Sequence, residues 1–336
     1  MSRRYPAQVT GVATVAAAAL MLAACGSSSP SKTSASSSAK GKTVQLIVGN
    51  ASDPFYVTME CGAEQEAAKL GVKLTVGGPT SFTPTLQKPL IDDVEVSKPD
   101  ALLVAPTQST SLDPDLQKIA SNGTKIIFVD TSSSDMSLGL SRISSNNVLG
   151  GQIAAENLGN LLGGKGTVAV VSMAKGTSTT DARVQGFQQE MAAKFPGIKL
   201  LSEQNDVDAT TTQATSFIEA DITSTPALSG VFAANTVTAQ GVAAGLTHAS
   251  KAGKVKLVSF DAEPPEMQML GSNIAQVIIA QEPALEGKDG VIQAVNAIEG
   301  KKVTASIPTP LTAITTTNMN EASIKPLVYK ASTAGC

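Results

Sequence analysis

The chain has 336 residues, with 25 Lys or Arg against 28 Asp or Glu, and its only histidine is His248. Because the charges nearly balance and the basic residues form no run, we do not expect nucleic acid as a partner. A single histidine without nearby cysteines or a carboxylate cluster also argues against a metal site of the usual ligand types and against a Ser-His-Asp triad.

The N-terminal segment has the order of a bacterial lipoprotein signal peptide. Two arginines at positions 3 and 4 precede an apolar stretch at 9–24, which ends in Leu-Ala-Ala directly before Cys25. The stretch is shorter than the ~20 residues that a membrane-spanning helix needs, and small residues are typical of a cleavage site. We predict a signal peptide over 1–24 and a diacylglycerol on the thiol of Cys25, which would anchor the protein to the outer face of the cell membrane. An ordinary secretion signal with an incidental cysteine is the alternative.

A serine-rich run follows Cys25 and continues to Ser38. Such a composition cannot bury enough apolar surface to offset its chain entropy. We predict that residues 25–42 form a flexible tether and that the folded part begins at Thr43. Roughly 300 residues then remain, which fits two domains.

Two further cysteines are present, Cys61 and Cys336. The cell exterior permits disulfides, and two thiols allow only one pairing. We predict a bond between them, which would close a loop long enough to be worth about 4 to 5 kcal/mol in the chain-entropy model. Two unpaired thiols, one on a helix and one at a frayed terminus, are the alternative.

From Thr43 onward, short apolar runs alternate with segments of helical spacing. Strands are predicted at 44–48, 72–76, 101–104 and 125–129, and helices at 55–70, 86–96 and 116–121. Parallel strands need long crossovers, so this alternation predicts a parallel sheet with helices on both faces. The predicted fold class is α/β.

The alternation breaks at 143–147, where the sequence is Ile-Ser-Ser-Asn-Asn, and then begins again. Helices are predicted at 148–162, 182–194, 212–222 and 238–250, with strands at 167–171, 198–202, 230–233, 256–260 and 274–279 and a short helix before the last strand. The chain is therefore predicted to hold two doubly wound, Rossmann-like lobes in series.

Polar residues follow the predicted strands in both lobes. Asn50 and Asp53 follow the first strand and Asp130 the fourth, while Asn235 and Asp261 follow strands of the second series. Ligands of open parallel sheets bind beyond the carboxyl ends of the strands. Two such edges facing each other would form a polar cleft.

Six short motifs in order resemble the ribose-binding family of periplasmic sugar-binding proteins. They are NASDPFY with CGAE at 50–56 and 61–64, SSNNVLGG at 144–151, GTS at 176–178, RVQGF at 183–187, VFAAN at 231–235 and VSFD at 258–261. The resemblance covers 43 to about 312. It implies a type I periplasmic binding protein-like fold whose chain crosses a three-strand hinge near Ser145, Gln281 and Pro310. The lobes would then comprise 43–145 plus 282–310, and 146–281 plus 311–336.

The function that the resemblance implies is reversible capture of a monosaccharide or polyol between the lobes, with no enzymatic reaction and no cofactor. The closed form, expected to be a monomer, would deliver its ligand to an ABC permease powered by a cytoplasmic ATPase. A sensor that presents the ligand to a membrane receptor kinase or chemoreceptor is the alternative. Transcriptional regulators share this fold. Here, however, the N-terminus carries a predicted signal peptide where a regulator would need its DNA-binding helix-turn-helix, so we do not expect a regulator.

The resemblance also implies which side chains hold the ligand. Aromatic rings would stack on the sugar, carboxylates and amides would bind its hydroxyls, and an arginine would hold two oxygens at once. The implied set is Phe55, Tyr56 and Phe260 for stacking, Asp130 and Asp261 as carboxylates, Asn235 and Gln281 as amides, Arg183 as the arginine, and Asp53. The alternatives are that Phe55 closes the start of a helix, that Phe260 is a core residue, and that Arg183 is a solvated helix charge.

Three positions depart from the ribose binders of that family. Thr131 replaces an arginine, Ala105 replaces an asparagine, and Asp53 stands where asparagine is common. The first lobe has therefore lost two polar groups and gained a carboxylate. We expect a ligand other than ribose, such as another pentose, a polyol or a deoxy sugar.

Two further features are assigned no catalytic role. His248 follows a helical run and is expected on a surface helix. The glycine-rich segment 163–167 precedes a strand, whereas a phosphate-binding loop follows one, and it lacks the required spacing. It is predicted to be a turn.

Overall fold

The computed structural model describes residues 39–334 and 336 of the chain. The first series contains β1 (Thr43–Ile47), α1 (Pro54–Leu70), β2 (Lys73–Gly77), α2 (Pro84–Ser97), β3 (Ala101–Val104), α3 (Asp113–Ser121), β4 (Lys125–Val129) and β5 (Ser141–Ser145). The second contains α4 (Asn147–Leu161), β6 (Gly166–Met173), α5 (Ser178–Lys194), β7 (Ile198–Leu200), β8 (Gln204–Asp206), α6 (Thr211–Ser224), β9 (Leu228–Ala233), α7 (Thr236–His248), β10 (Lys256–Phe260), α8 (Pro264–Gly271) and β11 (Val277–Ala280). The chain ends with α9 (Pro283–Ile298), β12 (Ser306–Thr309), β13 (Thr312–Thr315) and a 3-10 helix (Lys325–Leu327).

The first sheet has the strand order β12-β5-β4-β3-β1-β2, and all of its pairings are parallel. Its outer strand β12 comes from the end of the chain, and Ile307 pairs with Ile143 of β5. Helix α9 returns from the second series and packs against α1 and the strands β3 and β4. The first lobe is therefore completed by late segments of the chain.

The second sheet has the order β13-β11-β10-β9-β6-β7, and β8 also pairs with β6. Its strands are parallel except β13, which runs antiparallel to β11. Both sheets have helices packed on their strands, as doubly wound lobes require. The α/β prediction and the two-lobe architecture are confirmed.

The chain passes between the two sheets at three points: from β5 into α4, from β11 into α9, and from β12 into β13. These are the positions at which the hinge was predicted, near Ser145, Gln281 and Pro310. The sheet membership of the flanking strands supports the predicted lobe boundaries, which we retain as a proposal.

A buried glutamate joins two of the crossings. Glu286 of α9 is fully buried, and its Oε1 accepts hydrogen bonds from Ser145 N at 3.0 Å and from Thr309 Oγ1 at 2.9 Å. Burial raises the pKa of this carboxyl well above its ordinary value. One side chain thus fastens β5 and β12 to α9, the helix that follows the second crossing.

Two expectations need correction. Residues 39–42 were assigned to the tether, but Ala39 is buried and its N–H donates to Glu299 Oε1 at 3.1 Å. The break expected at 143–147 contains the end of a strand, because β5 alternates buried and half-buried residues and pairs on both sides. The signal peptide, Cys25 and the tether up to Ser38 lie outside the described residues.

Within the described part of the chain, no helix combines the length and apolar character needed to cross a membrane.

Helices α4 and α5 approach each other through glycines. A Cβ atom on Gly186 of α5 would overlap the carbonyl oxygen of Val148 in α4, and one on Gly151 of α4 would overlap the carbonyl oxygen of Arg183. No larger residue fits without moving the helices apart. This contact fixes the position of α5 and hence of Arg183.

We expect Gly186→Ala to lower the free energy of unfolding by about 1 to 3 kcal/mol or more, because the added methyl group must separate two packed helices. Urea titration followed by circular dichroism measures the change. Gly77→Ala is the matched control, since its Cβ would meet only Ile47 Cδ1, at 3.5 Å. Equal stabilities of the two variants would contradict the close packing of α4 on α5.

Candidate functional site

A cavity lies between the carboxyl ends of the two sheets, which is where open parallel sheets bind their ligands. Residues from both lobes and from the second crossing line it: Asn50, Asp53, Phe55, Tyr56, Ser81, Phe82 and Asp130 from the first, Met173, Thr177, Thr179, Thr180, Arg183, Ala209, Asn235, Thr236, Val237 and Asp261 from the second, and Gln281 at the crossing. Eight of the nine predicted ligand residues are in this set.

Phe260 is the predicted residue that does not line the cavity. Its side chain is fully buried inside the second lobe, where its ring lies 6.3 Å from that of Phe232. The guanidinium of Arg183 lies over the ring at 4.0 Å from its centroid. The expected stacking of Phe260 on the ligand is therefore wrong. The ring instead makes a cation–π contact with Arg183.

Two of the lining side chains also cap the N-termini of helices. Asp53 Oδ1 accepts a hydrogen bond from Phe55 N at 2.8 Å and caps α1. Asn235 Oδ1 accepts from Thr238 N at 3.2 Å and caps α7. Caps satisfy the free N–H groups of a first helical turn, which explains why short polar residues follow these strands. The same local rule thus places polar side chains on the cavity wall.

The first lobe supplies an aromatic wall. The rings of Phe55 and Tyr56 meet edge to face at 5.1 Å, and Tyr56 stacks with Phe82 at 6.5 Å. Phe82, in the loop between β2 and α2, was not predicted to belong to the site. Its position after a strand of the first sheet is the signal that could have indicated it.

Asp130 is held in an unusual backbone conformation, with φ of 60°, at the end of β4. Its Oδ2 accepts a hydrogen bond from the hydroxyl of Tyr56 at 2.6 Å. Burial raises the pKa of Asp130 from 3.8 to about 7, although the bond from Tyr56 and the charge of Arg183 oppose the rise. Burial and the nearby charge of Asp261 likewise raise the pKa of Asp53 to about 6.

Arg183 is a buried cation and not a solvated helix charge, since its side chain is only 3% exposed. Its Nε donates to Asn147 Oδ1 at 2.8 Å and its Nη1 to the carbonyl of Ala234 at 2.9 Å. Asp261 Oδ2 lies 3.9 Å from Nη1. Among the lining residues within the described chain, Arg183 is the one cationic side chain, and it faces three aspartates.

Asp261 is the most extensively bound of these aspartates. Its Oδ1 accepts from Gln281 Nε2 at 2.7 Å and from the hydroxyl of Tyr329 at 3.2 Å, and its Oδ2 accepts from Thr236 Oγ1 at 3.4 Å. Its φ is 75°. The carbonyl oxygen Oε1 of Gln281 is buried without a partner among the described residues, so it can accept a hydrogen bond from a ligand.

Two glutamates lie behind this part of the cavity. Glu263 Oε1 accepts from Thr236 Oγ1 at 3.0 Å, and Glu266 Oε1 accepts from Gln240 Nε2 at 3.0 Å. Burial, followed by the charge of Asp53, raises the pKa of Glu263 to about 10, and burial raises that of Glu266 to about 8. The raised pKa values favour the protonated form of both carboxyls at neutral pH, which limits the negative charge that they add to the site.

The two lobes also touch beside the cavity. Ser109 N of the first lobe donates to the carbonyl of Gly176 at 2.9 Å, and Ser132 N donates to Ser178 Oγ at 3.0 Å. Gly176 and Ser178 flank Thr177, which lines the cavity. The cleft is therefore closed in this structure.

Residues 39–334 and 336 contain no group of three or more His, Cys, Asp or Glu side chains arranged to hold a metal ion.

Cys61 of α1 and Cys336 form the predicted disulfide, with Cα atoms 5.2 Å apart. His248 is exposed at the end of α7, where Nδ1 lies 3.0 Å from Glu219 Oε1.

A scan against family models matches residues 44–302 to the periplasmic binding protein domain. The chain belongs to the periplasmic binding protein family. The ribose import binding protein of Salmonella typhimurium is 30% identical to this periplasmic binding protein over 269 residues, which is 80% of this chain and 89% of the relative. The D-apiose import binding protein of Actinobacillus succinogenes is 26% identical over 254 residues, 75% and 80% of the two chains.

Solved structures of this family share the architecture. An ABC transporter solute-binding protein from Agrobacterium vitis, bound with alpha-D-tagatopyranose, matches with a TM-score of 0.84 and 39% identity, covering 86% of this chain and 99% of that one. A carbohydrate transporter solute-binding protein from Agrobacterium radiobacter, in complex with D-arabinose, matches with a TM-score of 0.81 and 26% identity, covering 86% and 99%.

The pKa values of the buried aspartates predict a pH dependence of the ligand-free periplasmic binding protein. Because the pKa of Asp130 is about 7 in the folded state and 3.8 is its ordinary value, the folded protein holds more protons between these values. The contribution of Asp130 to stability is then fully present below about pH 4 and is lost as the pH rises through 7, by up to about 1.4 kcal/mol per pH unit for one proton. We expect the melting temperature to rise as the pH is lowered from 8 to 5.

In Asp130→Asn this dependence should become shallower between pH 5 and pH 7, since asparagine can still accept the bond from Tyr56 but does not titrate. Asp92→Asn, on the exposed face of α2, is the control and should keep the parent's slope. Differential scanning fluorimetry across the pH series gives the slopes. An unchanged slope in Asp130→Asn would contradict the raised pKa.

Proposed function

We propose that this protein captures one monosaccharide or polyol in the cleft between its lobes and delivers it, chemically unchanged, to an ABC permease with a cytoplasmic ATPase. The observation that carries the proposal is the closed cavity, in which aromatic rings from one lobe face an arginine, amides and carboxylates from the other. Family membership supports the same role, since the relatives and solved neighbours are named as sugar-import and solute-binding proteins.

The chemistry of the lining suits a molecule rich in hydroxyl groups. Carboxylates accept hydroxyl protons, an amide both accepts and donates, and a guanidinium can donate two bonds to vicinal oxygens. The apolar faces of a sugar ring can stack on Phe55, Tyr56 or Phe82, as in other small-molecule sites with few, well-placed polar groups. Such a ligand can also donate a hydrogen bond to Gln281 Oε1, the lining atom that is buried without a partner among the described residues, and pairing a buried acceptor favours tight and selective binding.

The proposed ligand set is the predicted one without Phe260: Asp53, Phe55, Tyr56, Asp130, Arg183, Asn235, Asp261 and Gln281. All line the cavity, and Phe82 and Thr236 join them. Asp53, Asp130 and Asp261 provide acceptors on both walls, while Arg183 and Gln281 provide donors. This balance favours a ligand that brings several hydroxyl donors of its own.

The sugar is proposed to be other than ribose. Thr131 stands where the ribose binders have an arginine, and Ala105 stands where they have an asparagine. Both residues are buried, and the hydroxyl of Thr131 has no partner among the described residues. The solved relatives at 39% and 26% identity carry D-tagatose and D-arabinose. We therefore place a ketohexose or a pentose of this kind first among candidate ligands.

The lobes, comprising 43–145 plus 282–310 and 146–281 plus 311–336, are proposed to move as a clamp about the three crossings. We expect the bonds from Ser109 and Ser132 to break when the cleft opens, because each joins residues of opposite lobes. Ligand contacts on both walls favour that state, because a ligand shifts the equilibrium towards the form that it binds better.

The proposed location is the outer face of the cell membrane, with the protein held there by a lipid on Cys25 and the segment before Ala39 serving as the tether. The sequence pattern of arginines, apolar stretch and Leu-Ala-Ala-Cys supports this anchor. Monomeric action is part of the proposal, since each chain carries both walls of its own cavity.

A thermal-shift screen of hexoses, pentoses and polyols on the soluble form starting after Cys25 tests the ligand class. At a hundred times the dissociation constant a ligand adds about 2.7 kcal/mol of stability. D-tagatose and D-arabinose head the screen. We expect at least one sugar or polyol to raise the melting temperature, and Arg183→Ala and Asp261→Asn to abolish that rise.

Lys254→Ala and Asp92→Asn, which change exposed charges outside the cavity, are the matched controls and should keep the shift. Sugar recovered after incubation should have an unaltered mass. Parent-like binding by both site variants would rule out the proposed ligand set.

For the lipid anchor, Cys25→Ser should remove acylation and release the protein from cell membranes into the soluble fraction. Mass spectrometry of the mature N-terminus and membrane fractionation measure the two effects. Cys336→Ser is the control, because its cysteine is used in the disulfide, and it should remain membrane-bound. A mature protein that begins elsewhere and carries no acyl chain would refute the anchor.

A further inference from the structure

The C-terminal tail, residues 316–336, follows β13 of the second sheet and ends on α1 of the first lobe. It lies beyond residues 44–302, which match the family domain. The tail therefore makes a fourth connection between the lobes, in addition to the three crossings.

Neighbouring amides of the tail bind opposite lobes. Tyr329 N donates to the carbonyl of Ala262 in the second lobe at 2.9 Å, and Lys330 N donates to Thr58 Oγ1 of α1 at 2.7 Å. The terminal residue is bonded covalently to α1 through the disulfide between Cys61 and Cys336. Because residues 329 and 330 are adjacent, moving Ala262 away from Thr58 would break one of these two hydrogen bonds.

Tyr329 reaches from the tail to the back of the ligand cavity. Its side chain is buried, and its ring lies 5.7 Å from that of Phe55. Its hydroxyl accepts a hydrogen bond from Gln281 N at 3.0 Å and donates one to Asp261 Oδ1 at 3.2 Å. Tyr329 does not line the cavity itself, yet all three of these partners do.

The bond to Asp261 acts on a residue whose position is not set by regular secondary structure. Asp261 follows the end of β10 with a left-handed φ of 75°, and its Oδ1 also accepts from Gln281 Nε2 at 2.7 Å. The phenol oxygen thus ties the backbone of Gln281 to the carboxylate of Asp261. Without it, the buried N–H of Gln281 loses its acceptor and one bond that orients the carboxylate is lost.

We propose that the tail is a disulfide-fastened strap between the lobes and that its Tyr329 is a positioning residue, which holds Asp261 and Gln281 in the orientation that the ligand requires. This inference rests on the proposed function, since it concerns the same cavity. It extends that function, because a segment outside the family domain would then control the affinity for the ligand.

Tyr329→Phe tests the positioning role in the oxidised, full-length mature chain, with D-tagatose and D-arabinose as probes for isothermal titration calorimetry. Loss of one buried hydrogen bond to a charged group predicts affinity weaker by about tenfold or more. Amide hydrogen exchange at Gln281, followed by NMR without ligand, should become faster. Lys325→Ala, an exposed change in the same tail, is the matched control and should leave both quantities as in the parent.

Cys336→Ser tests the strap. It should also weaken binding. The double variant with Tyr329→Phe should lose no more affinity than the weaker-binding of the two single variants, because both changes act through one contact. All titrations are made far below the melting temperatures, so that a merely destabilised but folded variant would keep the parent's dissociation constant.

Affinity within twofold of the parent, together with unchanged exchange at Gln281, would overturn the inference for Tyr329→Phe. Additive losses in the double variant would overturn the link between strap and tyrosine. If the parent binds neither these probes nor any sugar or polyol of the screen, the proposed function fails. In that case the positioning role is tested by amide exchange at Gln281 in Tyr329→Phe and Cys336→Ser. Faster exchange in both variants would support the role, and unchanged exchange would refute it.

Discussion

Three aspartates are gathered at one cavity between two lobes, and this concentration of buried carboxylates is the constraint on which the rest of the site depends. Charges removed from water are costly unless they are paired and hydrogen-bonded. Among the cavity-lining residues that the structure describes, Arg183 supplies the one opposing charge. Hydrogen bonds come from Tyr56, Gln281, Tyr329 and Thr236. The hydroxyl groups of a ligand would supply further donors, so closure and capture are linked by the same requirement.

The positions of these groups follow from the topology. Parallel sheets bring the carboxyl ends of their strands to one edge, and two such edges face each other because the chain crosses between the sheets three times. Glu286 fastens two of the crossings, and the glycine contact between α4 and α5 fixes the helix that carries Arg183. Rigid lobes with a few crossing segments leave the cleft as the part that can open.

Much of this arrangement could be predicted from the sequence, because it depends on local rules. Alternating strand and helix patterns indicated the doubly wound lobes, and short polar residues after strands indicated Asp130, Asn235 and Asp261. Other features depend on contacts between distant parts of the chain. The strand β5 is rich in serine, and it is a strand because β12, which lies more than 150 residues later, pairs with it.

The aromatic residues show the same limit. Phe260 and Phe82 both lie near strand ends, yet only the packing of the second lobe turns Phe260 into the core beneath Arg183. Tyr329 lies in a tail with no helical or strand pattern, and the disulfide alone predicts that the tail returns to α1, not that its tyrosine reaches Asp261. Side-chain direction and long-range docking are set by tertiary packing, which a linear pattern does not encode.

The most direct test of the account is a crystal structure of the mature protein grown with the sugar or polyol that stabilises it most. The account predicts an intact ligand enclosed between the lobes, with its hydroxyl groups bonded to Arg183 and Asp261 and one face against the aromatic wall of Phe55, Tyr56 and Phe82. A ligand bound outside the cleft, or one converted to another compound within it, would contradict the account.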